Sequence, residues 1–185
     1  MKKVITRLIL VFLLSFCAVS PVAASSSVAS SSATVTPTIV LDYTMPFPGI
    51  LPDHPLYQIK TLRDKILLFF TNNPVKKINL ELLMSDKQVV MGELLWEKGK
   101  SDLAVETFNK SEKGLLSVVM SLNELKKTNN LPAGLADKVE LSAKKHEEII
   151  SKLLAGTNDE TKKKELGNVL ETTHQAIQQV AAVKQ

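Results

Sequence analysis

From residue 59 onward, apolar residues return in alternating steps of three and four, the spacing that places them on one face of an α-helix. Five such stripes follow one another. The first is Ile59, Leu62, Ile66 and Phe69; the second is Val75, Ile78, Leu82, Ser85, Val89, Gly92 and Trp96. The third carries Ala104, Phe108, Ser111, Leu115, Val118, Leu122 and Leu125, and the fourth Leu135, Val139, Ser142, His146, Ile149 and Leu153. Leu166, Leu170, Thr173, Ile177 and Val180 make the fifth. Helices are therefore predicted over about 54–71, 74–98, 102–128, 133–155 and 159–183, and nothing reads as a strand. Asn73-Pro74 and Asn158-Asp159-Glu160 have the residue types that cap a helix start.

The connections around Gly99-Lys100, Asn129-Asn130 and Gly156-Thr157 are short. Consecutive helices are expected to lie antiparallel as neighbours, and the narrow stripes favour shallow crossings. Ser85, Gly92 and Ser111 interrupt their stripes with small side chains, so the second and third helices are expected to approach closely. The fold class is all-α: about five antiparallel helices in a bundle, preceded by an extended strap.

The pattern before residue 54 is different. Residues 43–54, Tyr43 to His54, hold prolines at 46, 48 and 52, with Pro55 directly after. Each proline fixes φ and disfavours helix in the residue before it. Apolar residues accompany nearly every proline, so Phe47, Ile50 and Leu51 are expected to pack on the helices, and Asp53 to cap the first helix. If Leu56 and Tyr57 are buried anchors, truncating either to alanine is expected to cost about 2–5 kcal/mol. Residues 25–42 are rich in Ser, Thr, Ala and Val and carry no charge before Asp42, the composition of a flexible tether.

Residues 1–24 have the three parts of a secretory signal peptide. Lys2, Lys3 and Arg7 precede an apolar core over 8–18, and Val22-Ala23-Ala24 offers a cleavage site between Ala24 and Ser25. A secreted or otherwise extracytoplasmic location, in the periplasm or at the cell surface, is expected. An uncleaved N-terminal anchor is the alternative, against which the short core argues. Phe16 before Cys17 is too large for a lipid-attachment site.

Cleavage changes the composition more than its length suggests. The whole chain carries 23 basic and 19 acidic residues; without Lys2, Lys3 and Arg7 the balance is 20 to 19, or +1. No overall field remains to draw nucleic acid, and no membrane span is expected in the mature chain. The single cysteine leaves as well, which removes disulfides and thiolate chemistry.

The remaining candidates for chemistry are sparse. His54 sits in the turn before the first helix, His146 on the fourth stripe, and His174 beside the fifth. Folding the last two helices back around residue 157 sets His146 and His174 about 9 Å apart along the axis, too far to share an ion. The same register places Glu140 opposite His174 as a structural pair. Glu147-Glu148 and Asp159-Glu160 are adjacent in sequence and read as exposed or capping. No nucleophile elbow or phosphate-binding glycine loop is present, so neither enzyme activity nor a cofactor is expected. Only one of the adjacent pair Phe69-Phe70 can point squarely inward, leaving the other for an exposed apolar patch and a partner, either a protein or a cell-envelope component.

Two resemblances bear on this. Ser85–Leu116, with Gly92, Gly99, Ala104, Phe108 and Ser111, resembles one tetratricopeptide-type hairpin, but Gln88 and Leu116 depart from that pattern and no second copy follows. The residues Pro46, Pro48, Gly49, Ile50, Leu51, Pro52, Asp53, Pro55, Leu56, Tyr57, Lys60 and Arg63 resemble the strap of a domain family of unknown function. That family is found in secreted or surface proteins of prokaryotes. The resemblance covers about residues 43–130. It implies a helical extracytoplasmic domain with a structural strap, and no activity. A non-catalytic structural or protein-interaction module is the expected function; a small helical chaperone-like or ligand-binding protein is the alternative.

Overall fold

Four of the five stripes close on one another in the computed structural model, which describes residues 42–185. The expected signal peptide (1–24) and all of the tether but Asp42 lie outside the described residues. The helices are α1 (Tyr57–Phe70), α2 (Pro74–Glu97), α3 (Ser101–Lys127), α4 (Leu135–Gly156) and α5 (Glu160–Lys184). There is no strand among the described residues. The Asn73 side chain accepts from the Lys76 amide, and Asp159 accepts from the Thr161 and Lys162 amides. These bonds satisfy amides that have no partner within the helix, and so fix where α2 and α5 start.

α2 with α3, and α4 with α5, form two antiparallel hairpins that lie side by side. Lys138 of α4 donates to Asn79 of α2 (2.7 Å), joining their N-terminal halves. Lys126 of α3 donates to the Ala182 carbonyl of α5 (3.3 Å), joining their C-terminal ends. α2 and α4 therefore run parallel, as do α3 and α5. The expected antiparallel order holds from α2 to α5, but α3 and α4 meet only diagonally across the bundle. The seven-residue connection after Lys127 carries the chain across the bundle, and α3 packs instead on α2 and α5.

Within the first hairpin, Ser85 Oγ donates to the Ser111 carbonyl (2.6 Å) and Ser111 Oγ to the Ser85 carbonyl (2.9 Å). This reciprocal pair draws α2 and α3 together as the small residues predict. The core then divides in two. A lower cluster includes Ile78, Leu82, Leu115, Leu122, Val139 and Val180; an upper one includes Val89, Leu95, Phe108, Ile150, Leu166 and Val169.

α1 departs from expectation. It starts at Tyr57 because successive turns, His54 N–H to the Leu51 carbonyl and Tyr57 N–H to the His54 carbonyl, occupy the backbone before it. Asp53 does not cap it; its carboxylate reaches Lys100 (2.9 Å) and Lys98 (3.4 Å) at the α2–α3 turn. None of its residues is buried. Tyr57, Lys60, Thr61, Asp64 and Leu68 are half-buried, whereas Ile59, Leu62, Ile66, Phe69 and Phe70 are exposed. Its apolar stripe, read from the sequence as core, faces solvent.

The strap is also anchored by residues other than those expected. Phe47 is 83 % exposed, and Ile50 and Leu56 are exposed too. Pro48 is buried, Leu51 and Met45 are partly buried, and Met45 packs on the upper cluster. Leu56 is therefore not the buried anchor that a cost of 2–5 kcal/mol requires; little area is lost when a half-exposed side chain is cut back.

Candidate functional site

Between the two apolar clusters lies a layer of polar side chains drawn from all four bundle helices. Asp86 of α2, Glu112 of α3, His146 of α4 and Thr173 of α5 are all buried. His146 sits at the centre. Its Nδ1 lies 2.9 Å from Glu112 Oε1 and its Nε2 lies 3.1 Å from Asp86 Oδ1. Thr173 Oγ1 donates to Glu112 Oε2 (2.9 Å), and Ser142 Oγ donates to Asp86 Oδ1 (2.5 Å). The remaining Asp86 oxygen, Oδ2, accepts from the Tyr43 hydroxyl at 2.6 Å. The strap is thus tied to the core through a tyrosine.

Burial alone pushes the His146 imidazole towards its neutral form. The Glu112 and Asp86 carboxylates more than reverse this, and its pKa is raised to about 9. At neutral pH the ring is an imidazolium that donates from both nitrogens, so every partner in the layer is matched. Burial pushes the Tyr43 phenol up as well, reinforced by its bond to Asp86.

Replacing Tyr43 with Phe removes the donor to Asp86 without changing the ring. The expected loss is about 1–3 kcal/mol, the penalty for leaving a buried acceptor unmatched. Thermal unfolding measures it, and an unchanged melting temperature would mean that the strap is not held this way.

The layer joins what the sequence did not. His146 was legible on its stripe, but Asp86 and Glu112, beside Ser85 and Ser111, were not singled out. Their signal is positional: each lies a heptad-like step from the buried residues around it, Leu82 and Val89 for Asp86, Phe108 and Leu115 for Glu112. His174 pairs with Glu147 (Nε2···Oε1 2.9 Å), not with Glu140, which instead binds Lys144 and Lys184. The observed pairing is shifted by seven residues from the expected register, equivalent to a fold-back three to four residues beyond residue 157. His54 does bond locally: its Nδ1 accepts from the Leu56 amide at 3.1 Å. Among the described residues no group of three or more His, Cys, Asp or Glu is placed to hold a metal ion. The two carboxylates of the layer face opposite nitrogens of one ring.

The surface offers a second feature. A groove of about 380 Å³ runs between the strap and α1, lined by Phe47, Ile50, Leu56, Ile59, Arg63 and Lys87 among others. Gly49 turns the strap at its rim with φ of +76°, a backbone conformation that disfavours side chains. Under α1, Lys60 pairs with Asp64 (3.7 Å) and lies 5.4 Å from the Tyr57 ring centroid. Burial lowers its pKa against the pull of Asp64. Arg63 binds the same carboxylate at 2.6 Å while remaining mostly exposed. The polar edge of α1 thus faces the bundle and its apolar stripe faces out.

The chain matches the family Domain of unknown function (DUF5667) over residues 49–185, which takes in the groove's glycine, all of α1 and the whole bundle. It belongs to the DUF5667 family. No curated protein and no solved structure matches it. The match runs beyond the expected limit near residue 130 to the last helix, so the DUF5667 domain includes all four helices that build the polar layer. Among its described residues no helix is long and apolar enough to cross a membrane.

Proposed function

We propose that this DUF5667 domain is a non-catalytic interaction module displayed outside the cytoplasmic membrane, with α1 and the strap as its contact face. One observation carries the reading: α1 turns Ile59, Leu62, Ile66, Phe69 and Phe70 to solvent although its other edge is polar. A helix that only completed the core would be oriented the other way. Exposed apolar area of this extent marks a contact surface. The converging ionisable groups are sealed in the bundle, with His146 fully buried, so they serve architecture and not turnover. The α2–α3 hairpin, in spite of its tetratricopeptide-like residues, acts in this reading as packing, and the strap as a brace for the contact face.

The partner is a protein or another cell-envelope component. The test places a photo-crosslinking residue at Ile66 in the producing cell, with a control at Lys110 on α3. Adducts at position 66 that are absent at position 110 are the expected result. Equal labelling at both positions, or none at either, would overturn the reading. The groove also keeps a second reading in play, a helical chaperone or ligand-binding protein. That reading requires the purified chain to suppress light scattering by an aggregating client.

A further inference from the structure

The overall charge balance conceals a local one. Between Tyr57 and Lys77 the chain carries Lys60, Arg63, Lys65, Lys76 and Lys77 against the single acid Asp64. This stretch alone is +4, while the described domain as a whole, with 20 basic and 19 acidic residues, is nearly neutral. Lys87 of α2 adds a further cation at the groove. Lys60, Arg63 and Lys87 line the groove itself, so positive charge stands beside the exposed apolar surface.

Geometry gives the combination a direction. At 100° per residue, Leu62, Phe69, Ile66, Ile59, Phe70 and Leu67 cover one continuous side of α1. Arg63 lies within that arc and Lys65 on its shoulder, both exposed. Phe47 of the strap, 83 % exposed, and Leu56, 50 % exposed, extend the apolar surface beyond the helix N-terminus. Phenylalanine and aliphatic side chains in one plane, with cations inside and beside them, form the pattern of a helix lying in a lipid headgroup layer. There the apolar stripe enters the acyl boundary while the basic heads stay among phosphates.

We propose that α1 and the strap dock this domain on an anionic bilayer surface, resting on the reading above of α1 as the contact face and naming its partner. Charge decides among occupants. A second copy on a two-fold axis would bring the same cation-rich surface against itself; anionic lipid neutralises it, at about 1 kcal/mol per basic residue near the surface. Docking needs no span, in keeping with the absence of a crossing helix among the described residues.

The experiment uses the full chain carrying Trp96→Phe and Phe69→Trp, so that the single indole reports from α1. Vesicles of phosphatidylglycerol and phosphatidylcholine, with brominated acyl chains, are compared with vesicles of phosphatidylcholine alone. A second chain with Trp96→Phe and Lys110→Trp reports from α3, which α1 does not touch, and controls for binding through the N-terminal segment. Blue-shifted, quenched emission from position 69 in the anionic vesicles, with position 110 unaffected, is the expected result. Arg63→Gln with Lys65→Gln should weaken that response about thirtyfold, the equivalent of about 2 kcal/mol, while the far-ultraviolet spectrum stays the same.

Emission at position 69 that ignores vesicles, or that responds equally to both lipids, would overturn the proposal. So would a blue shift driven by protein concentration alone, which would identify a second copy as the occupant. If vesicles have no effect but position 66 crosslinks a protein, the interaction reading survives and only the lipid partner is lost. Silence in both experiments removes both.

Discussion

Replacing His146 with leucine is expected to destabilise the domain by about 3–5 kcal/mol, the cost of breaking a buried ion pair by removing one partner. Asp86 and Glu112 would keep their places in the core with nothing between them, since the imidazolium accounts for one contact on each carboxylate. Typical domains are stable by about 5–15 kcal/mol, so the variant should still fold, with a urea midpoint well below that of the parent chain. A matched variant separates lost bonding from stranded charge. Changing His146→Leu, Asp86→Leu and Glu112→Met together removes the whole charged cluster and should recover much of the loss, because an apolar replacement of similar volume has no charge to desolvate. If the single substitution costs under about 1 kcal/mol, the layer is not the electrostatic centre of the core.

The same histidine makes stability depend on pH, with a definite sign. Its folded pKa of about 9 lies above the ordinary value of 6.5. The folded state therefore holds a proton that the unfolded state releases between these values. Stabilisation from this group is fully present below pH about 6.5 and is lost as pH rises through about 9. The shift corresponds to about 3 kcal/mol if nothing else titrates in the window. The groups facing His146 are Asp86 of α2, Glu112 of α3 and, through them, Ser142, Thr173 and Tyr43. Urea unfolding at pH 6, 7.5 and 9 should show a steady decline that is absent in the triple variant. A flat profile in the parent chain would mean that His146 does not hold its proton.

The helices of the bundle were legible because a heptad-like stripe and two caps specify both a face and a start, and α2 to α5 each have the face. Ser85, Gly92 and Ser111 were legible as close-packing residues because small side chains on a stripe leave room for a neighbouring helix. The polar layer was visible only at His146. A carboxylate beside a stripe reads as solvated, and only the crossing of four helices at one height turns Asp86 and Glu112 inward. α1 failed for a different reason. Periodicity reports that Ile59, Leu62, Ile66 and Phe69 share a side, but it does not report whether anything covers that side. Covering depends on how the strap directs the helix, and Tyr43 to Asp86 is a bond across 43 residues, beyond the reach of local pattern. The same long-range contacts moved Asp53 from a capping role to the Lys98–Lys100 turn.

Phe108 is the other site where a large effect is expected. Its ring is fully buried in the upper cluster and lies over Gly92 of α2. Truncation to alanine should cost about 3–5 kcal/mol, through lost transfer energy and the cavity left behind. The reverse change probes the same contact from the other helix. A Cβ added at Gly92 would stand 2.5 Å from Phe108 Cε1 and 2.6 Å from Cδ1, closer than side-chain atoms approach. Alanine in a helix interior gains about 1 kcal/mol over glycine, whereas forcing a methyl group into a packed core costs about 1–3 kcal/mol. The steric cost should win, since the ring is fully buried in one cluster with Val89, Leu95 and Ile150. Combining Gly92→Ala with Phe108→Leu should cost less than the two changes summed, because the smaller side chain vacates the position that the methyl needs. Urea denaturation of both single variants and the double variant measures this coupling directly. A Gly92→Ala chain more stable than the parent would show that α2 and α3 separate readily, and would leave the serine pair at residues 85 and 111, not the glycine–phenylalanine contact, as what sets their distance.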